Sequence, residues 1–179
     1  MYARSSTLAI LAAMALVLPA IPAPRFTLGT TGAITLNVAG YEARYGVVPS
    51  SVNGRPLLTV SLGATNARGS LMLSVPGDRV PATGRYPIRS SWNDEGIEQH
   101  AFHAGLVAGS PEHPLGWFHG ESGWVTITDA AEGLMSGQFE IRARGFMSAH
   151  PDDENRWVTV RGTFHAHGDS TIATIASLE

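Results

Sequence analysis

The sequence predicts an all-β fold: an antiparallel β-sandwich, Ig-like or jelly-roll-like, of about eight to nine strands, with a small β-barrel as the second choice. Three observations predict it. Between Ser122 and Phe164 the runs SGWVTIT, LMSGQFEIRA and WVTVRGTF alternate apolar and polar residues with a period of two, as strands with one buried face do. Twenty glycines and eleven prolines supply turns along the whole chain. Beyond the N-terminal segment, apolar residues nowhere recur at helical spacing over three turns.

In chain order, residues 1–20 come first. Arg4, an apolar run of 11 residues from Leu8 to Leu18 and then Pro19-Ala20 make a secretory signal peptide with Ile21 as the first mature residue. An uncleaved anchor is the alternative, although the run is short of the ~20 residues that span a bilayer. A single domain over 26–179 follows. Phe26 to Thr31 reads as a lead-in. Ala33 to Val48 reads as a strand with Ile34, Leu36 and Val38 on one face, a change of phase at Gly40 of the kind a bulge or a tight hairpin makes, and a second half carried by Tyr41, Ala43 and Tyr45. Asn53-Gly54 marks a tight turn. Leu57 to Gly63, with Leu58, Val60 and Leu62 inward, pairs as a hairpin with Ser70 to Val75 across Asn66-Ala67-Arg68-Gly69.

Arg85 to Arg89 is a short strand and Ser90 to Gly96 an exposed polar segment. Glu98 to Ala108 alternates again, with Phe102, Ala104 and Leu106 on one side. Gly109 to Gly120, GSPEHPLGWFHG, reads as a loop rich in proline and aromatics. The last strands are Trp124 to Thr128, Met135 to Ala143 and Trp157 to Phe164. Asp169 to Glu179 alternates only weakly.

Composition removes several kinds of chemistry. All twelve basic residues are arginine, so Schiff-base lysines and the lysine of a phosphate-binding P-loop are excluded. Fifteen acidic residues outnumber them, and no basic run could follow a phosphate backbone, so nucleic acid is not a partner. Without cysteine there is no disulfide, thiolate metal site, thiol nucleophile or lipid-modified N-terminus. No cofactor is implied.

The closing runs also carry a resemblance. SGWVTIT, then Ser136-Gly137-Gln138-Phe139, then Val158 to Phe164, resembles the SGxVxIT, SGxF and VxVxxGxF pattern of a group of bacterial secreted and lipoprotein-type all-β domains of unknown function. GSLMLSVPGDRVPATGRYPI is similar to the strand that precedes it there. The resemblance implies an extracytoplasmic all-β domain and brings no catalytic residues.

Two groups of residues are candidates for function. His165 and His167 lie two apart on a strand and Asp169 continues their face, a donor set for zinc or copper. His103 would join them if the strand over 98–108 pairs with the last one. The plainer account is the solvated side of a half-buried strand. His113 and His119, with Glu112 and Glu121, read as solvated loop residues. GESGW at Gly120 to Trp124 lacks the second glycine of a nucleophile elbow, and Asp152-Asp153-Glu154 lacks calcium-loop spacing.

The second group is aromatic: Trp117 and Phe118 in the loop, with Trp92 and Trp124, as a surface for a protein partner. The expected function is a non-enzymatic extracytoplasmic module for protein–protein interaction, or an accessory subunit of an envelope membrane complex. Membrane contact would come only through an uncleaved N-terminal segment. A small-ligand binder, for carbohydrate or metal, is the alternative.

Overall fold

A computed structural model describes residues 25–50, 54–63, 68–90, 100–110, 112–131 and 133–169. The N-terminal segment, Asn53, Asn66, Ala67, Trp92 and the chain after Asp169 lie outside these residues. The described residues form ten strands and no helix: β1 (Phe26–Gly32), β2 (Leu36–Gly40), β3 (Ala43–Pro49), β4 (Pro56–Leu62), β5 (Gly69–Pro76), β6 (Gly84–Pro87), β7 (His103–Gly109), β8 (Pro114–Ala131), β9 (Leu134–Met147) and β10 (Arg156–Gly168). They build one large, mainly antiparallel sheet wrapped on a shared core, in keeping with a sandwich or jelly roll rather than a clean barrel.

The frame is the meander β8-β9-β10, with strands of 18, 14 and 13 residues. Period-two alternation sends Phe118, Val125, Ile127, Phe139, Ile141, Val158, Val160 and Phe164 into the core and their neighbours outward. Each outer edge of the meander serves two partners in turn. β10 pairs with β1 along Val158–Phe164, then meets β3 in a two-residue parallel contact, His167↔Arg44 and Gly168↔Tyr45. β8 pairs with β7 from Pro114 to His119 and with β6 from Trp124 to Ile127. Antiparallel pairs β3-β4, β4-β5 and β5-β7 complete the circuit, and β2 hangs on β1.

The change of partner along β8 coincides with a bulge. The register with β9 shifts between Gly120 and Ser122, leaving Glu121 as an extra residue. Such a bulge reverses which residues face inward. Gly116, Phe118 and Gly120 are buried before it, Val125 and Ile127 after it. Gly120 belongs there because a Cβ would come within 2.9 Å of Ile88 and 3.0 Å of Ala104.

Two glycines of the closing runs serve a related purpose. Gly137 sits opposite Phe164 and Gly162 opposite Phe139 in the β9–β10 register. A Cβ on Gly137 would lie 2.7 Å from the Phe164 ring, and one on Gly162 2.6 Å from the Phe139 ring. Each ring lies over the bare backbone across from it. The SGxF and GxF patterns are thus one reciprocal cross-strand fit.

Several sequence expectations need correction. Phe26 to Thr31 is no lead-in but most of β1, whose alternate residues Phe26, Leu28 and Thr30 are buried. The strand foreseen over 33–48 is two strands, because at Tyr41–Glu42 the chain keeps its direction but passes the start of β1 and changes partner, from β1 for β2 to β10 and β4 for β3. These changes raise the strand number to ten among the described residues. The segment from Gly109 to Gly120 is largely strand. Its inward positions are Gly116, Phe118 and Gly120, and glycines there hide an alternation that apolar side chains would have displayed. Its outward aromatics then look like a loop's.

Candidate aromatic and arginine face

The outward side of the meander carries the charged and aromatic residues. Register fixes the neighbours. Trp117 stands opposite Val107 of β7 and Phe146 of β9, its ring tilted 41° against Phe146 at 5.5 Å, and it is 42% exposed. Phe118, the next residue, points the other way and is 3% exposed, so it is a core residue and leaves the set of partner-binding candidates. Trp124 lies past the bulge, half-buried and opposite Glu140, with the Arg85 guanidinium 4.6 Å above its ring. Trp92 is outside the described residues.

Trp157, absent from the candidates, belongs to the same face. It is 38% exposed opposite Arg144, and the Arg142 guanidinium lies 4.2 Å over its ring. The signal for it was present. It precedes the inward Val158 and Val160, so the phase of its own strand points it outward.

Glu121 organises the middle of the face. The bulge keeps it on the outer side beside His119, and its Oε1 lies 2.9 Å from His119 Nε2 and 3.1 Å from Arg144 Nη2. His119 is therefore a half-buried strand residue in an ion-paired cluster, not a solvated loop histidine. The fit is incomplete: Arg144 Nε is buried with no hydrogen bond among the described residues. One step along the meander, Arg161 donates to Glu140 at 3.0 Å. That hydrogen bond, with the charges of Arg161 and Arg85, holds the Glu140 carboxyl below its usual range, and the same bond with the Glu140 charge pushes Arg161 up.

The possible metal ligands are not assembled. β7 pairs with β5 and β8 and not with β10, so His103 is placed away from His165; its Nδ1 lies 3.1 Å from the Arg89 carbonyl oxygen. His165 Nδ1 is 3.0 Å from Ser136 Oγ directly across β9. The Asp169 carboxylate is held by Arg44 at 2.8 Å, where β10 meets β3. Alternation did put His165 and His167 on one side of the strand, but Arg44, brought in by the parallel contact, takes the carboxylate. Among the described residues no group of three or more histidines and acids could hold a metal ion.

Compared with protein-family models, curated proteins and solved structures, the chain matches none. The geometry of this face is the guide to function.

Proposed function

We propose that the protein is a non-enzymatic extracytoplasmic module that works by protein–protein interaction, as a free module or as an accessory subunit at the envelope, and that the outer face of β8-β9-β10 is its binding surface. One observation carries the reading: Trp117 and Trp157 stand 42% and 38% exposed on one continuous sheet face, among arginines. Tryptophan and arginine are the side chains that most often dominate binding energy at protein interfaces, because a large rigid ring and a planar donor fork lose little freedom on contact. The extracytoplasmic setting is supported by the charged, then apolar, then small-residue pattern of residues 1–20.

The face favours a polypeptide over a sugar. Sugar stacking needs open indole faces, whereas Trp124 and Trp157 each carry a guanidinium on one face and Trp117 leans on Phe146. The test is capture of the native partner from solubilised envelope by the tagged wild type, by Trp117→Ala and by Trp157→Ala. Loss of the partner from both variants, with unchanged melting, is expected. Full retention by both would end the reading.

A further inference from the structure

The four arginines of this face divide into two kinds. Arg144 and Arg161 are committed to Glu121 and Glu140. Arg85 and Arg142, both exposed, have no carboxylate in ion-pair contact among the described residues and lie instead on the rings of Trp124 and Trp157. Arg85 reaches Glu140 only through space. A guanidinium lying on an indole is held by the ring's π-face, while its N–H donors stay at the periphery of the plane. It is therefore already oriented for a two-pronged bond to a carboxylate. The face has four arginines against three acids, Glu121, Glu140 and Asp129, whereas the whole chain has a formal charge of −3, so its charge is opposite to that of the molecule.

We propose that the partner engages this face through an acidic, extended polypeptide segment, whose side-chain carboxylates are received by Arg85 and Arg142 on their tryptophan platforms. This rests on the face being a protein-binding surface and specifies what it binds. Register gives the spacing. Trp124 and Trp157 are on strands either side of β9, opposite Glu140 and Arg144. Two strand separations across and four residues along place the two receptors ~16 Å apart, roughly five residues of extended chain. Two carboxylates at that interval would be bound together, and the exposed rings of Trp117 and Trp157 would cover apolar residues between or beside them.

The test uses the full chain, with an oligoglutamate peptide as probe, an oligoglutamine peptide as its neutral control, and polygalacturonate and anionic-lipid vesicles as competing anions. Calorimetry and tryptophan fluorescence should show oligoglutamate binding that weakens with salt. It should fall about tenfold or more in the double variant Arg85→Glu/Arg142→Glu and less in Arg85→Lys/Arg142→Lys, which keep the charge without the planar fork. Equal binding of oligoglutamine, indifference to charge reversal, or tighter arginine-dependent binding of polygalacturonate or vesicles would overturn the acidic peptide as occupant. Partner capture separates the two levels. If the tryptophan variants lose the native partner while the charge-reversed variant keeps it, the face binds protein and the carboxylate receptors are refuted; if all variants keep it, the binding surface itself is refuted. Both arginines are exposed, so unchanged melting is expected and confirms that the variants are folded.

Discussion

Trp117 and Phe118 are adjacent on β8 and have opposite fates, and the same division runs through the whole meander. Its inner face is apolar, with phenylalanine, isoleucine and valine close-packed around one core. Its outer face is a set of individual pairings, with Glu121 between His119 and Arg144, Glu140 on Arg161, Arg85 on Trp124 and Arg142 on Trp157. Apart from the crossed glycine–phenylalanine pairs of β9 and β10, the inner face depends on phase, and the outer face depends on register. The inner face should therefore govern stability and the outer face binding.

The largest expected effect lies inside. Phe164→Ala empties a fully buried ring site above Gly137 and should cost about 3–5 kcal/mol, read as a lower midpoint in urea at unchanged slope. A loss below about 1 kcal/mol would mean that the site collapses freely and that the contrast between faces is overstated. Next comes the adjacent pair. Phe118→Ala should lose about 3 kcal/mol while Trp117→Ala loses less than about 1, and partner capture should show the reverse order.

Smaller still is Glu121→Gln, which removes the anionic acceptor shared by His119 and Arg144. About 1 kcal/mol at neutral pH is expected from thermal melting, since the group is only partly buried. The smallest effect is at Glu140. Its carboxyl titrates below its ordinary value of 4.5 when folded, so the small stability it supplies is present above that pH and disappears as pH falls through the lower, folded value. In Arg161→Ala the Glu140 titration, followed by carboxyl NMR, should move back up toward 4.5. An unmoved midpoint would remove Arg161 as the cause.

Much of the fold was legible because period two is a property of single strands. Leu58, Val60 and Leu62 in β4, and Phe139, Ile141, Val158, Val160 and Phe164 in the meander, show their inward phase in sequence and are buried. What escaped was written in glycine or in partners. Gly116 and Gly120 fill inward positions of β8 without adding hydrophobicity, so a strand looked like a loop. The bulge at Glu121 depends on β8 exchanging β7 for β6, a tertiary fact with no local signature. The site was half legible for the same reason. Alternation can place Trp157 on the outside, but only pairing with Arg144 and the diagonal approach of Arg142 show what surrounds it.

The crossed glycine–phenylalanine fit between β9 and β10 also acts as a proofreading device. Sliding one strand by two residues preserves every inward and outward assignment, so phase alone cannot detect the error. In one direction the slip would set Phe139 against Phe164, forcing two rings into a space shaped for one. In the other it would set Gly137 against Gly162 and leave a hole. Of these alignments only the native one seats both rings. A misaligned hairpin is thereby penalised in either direction, before any residue of the outer face has been brought opposite its partner.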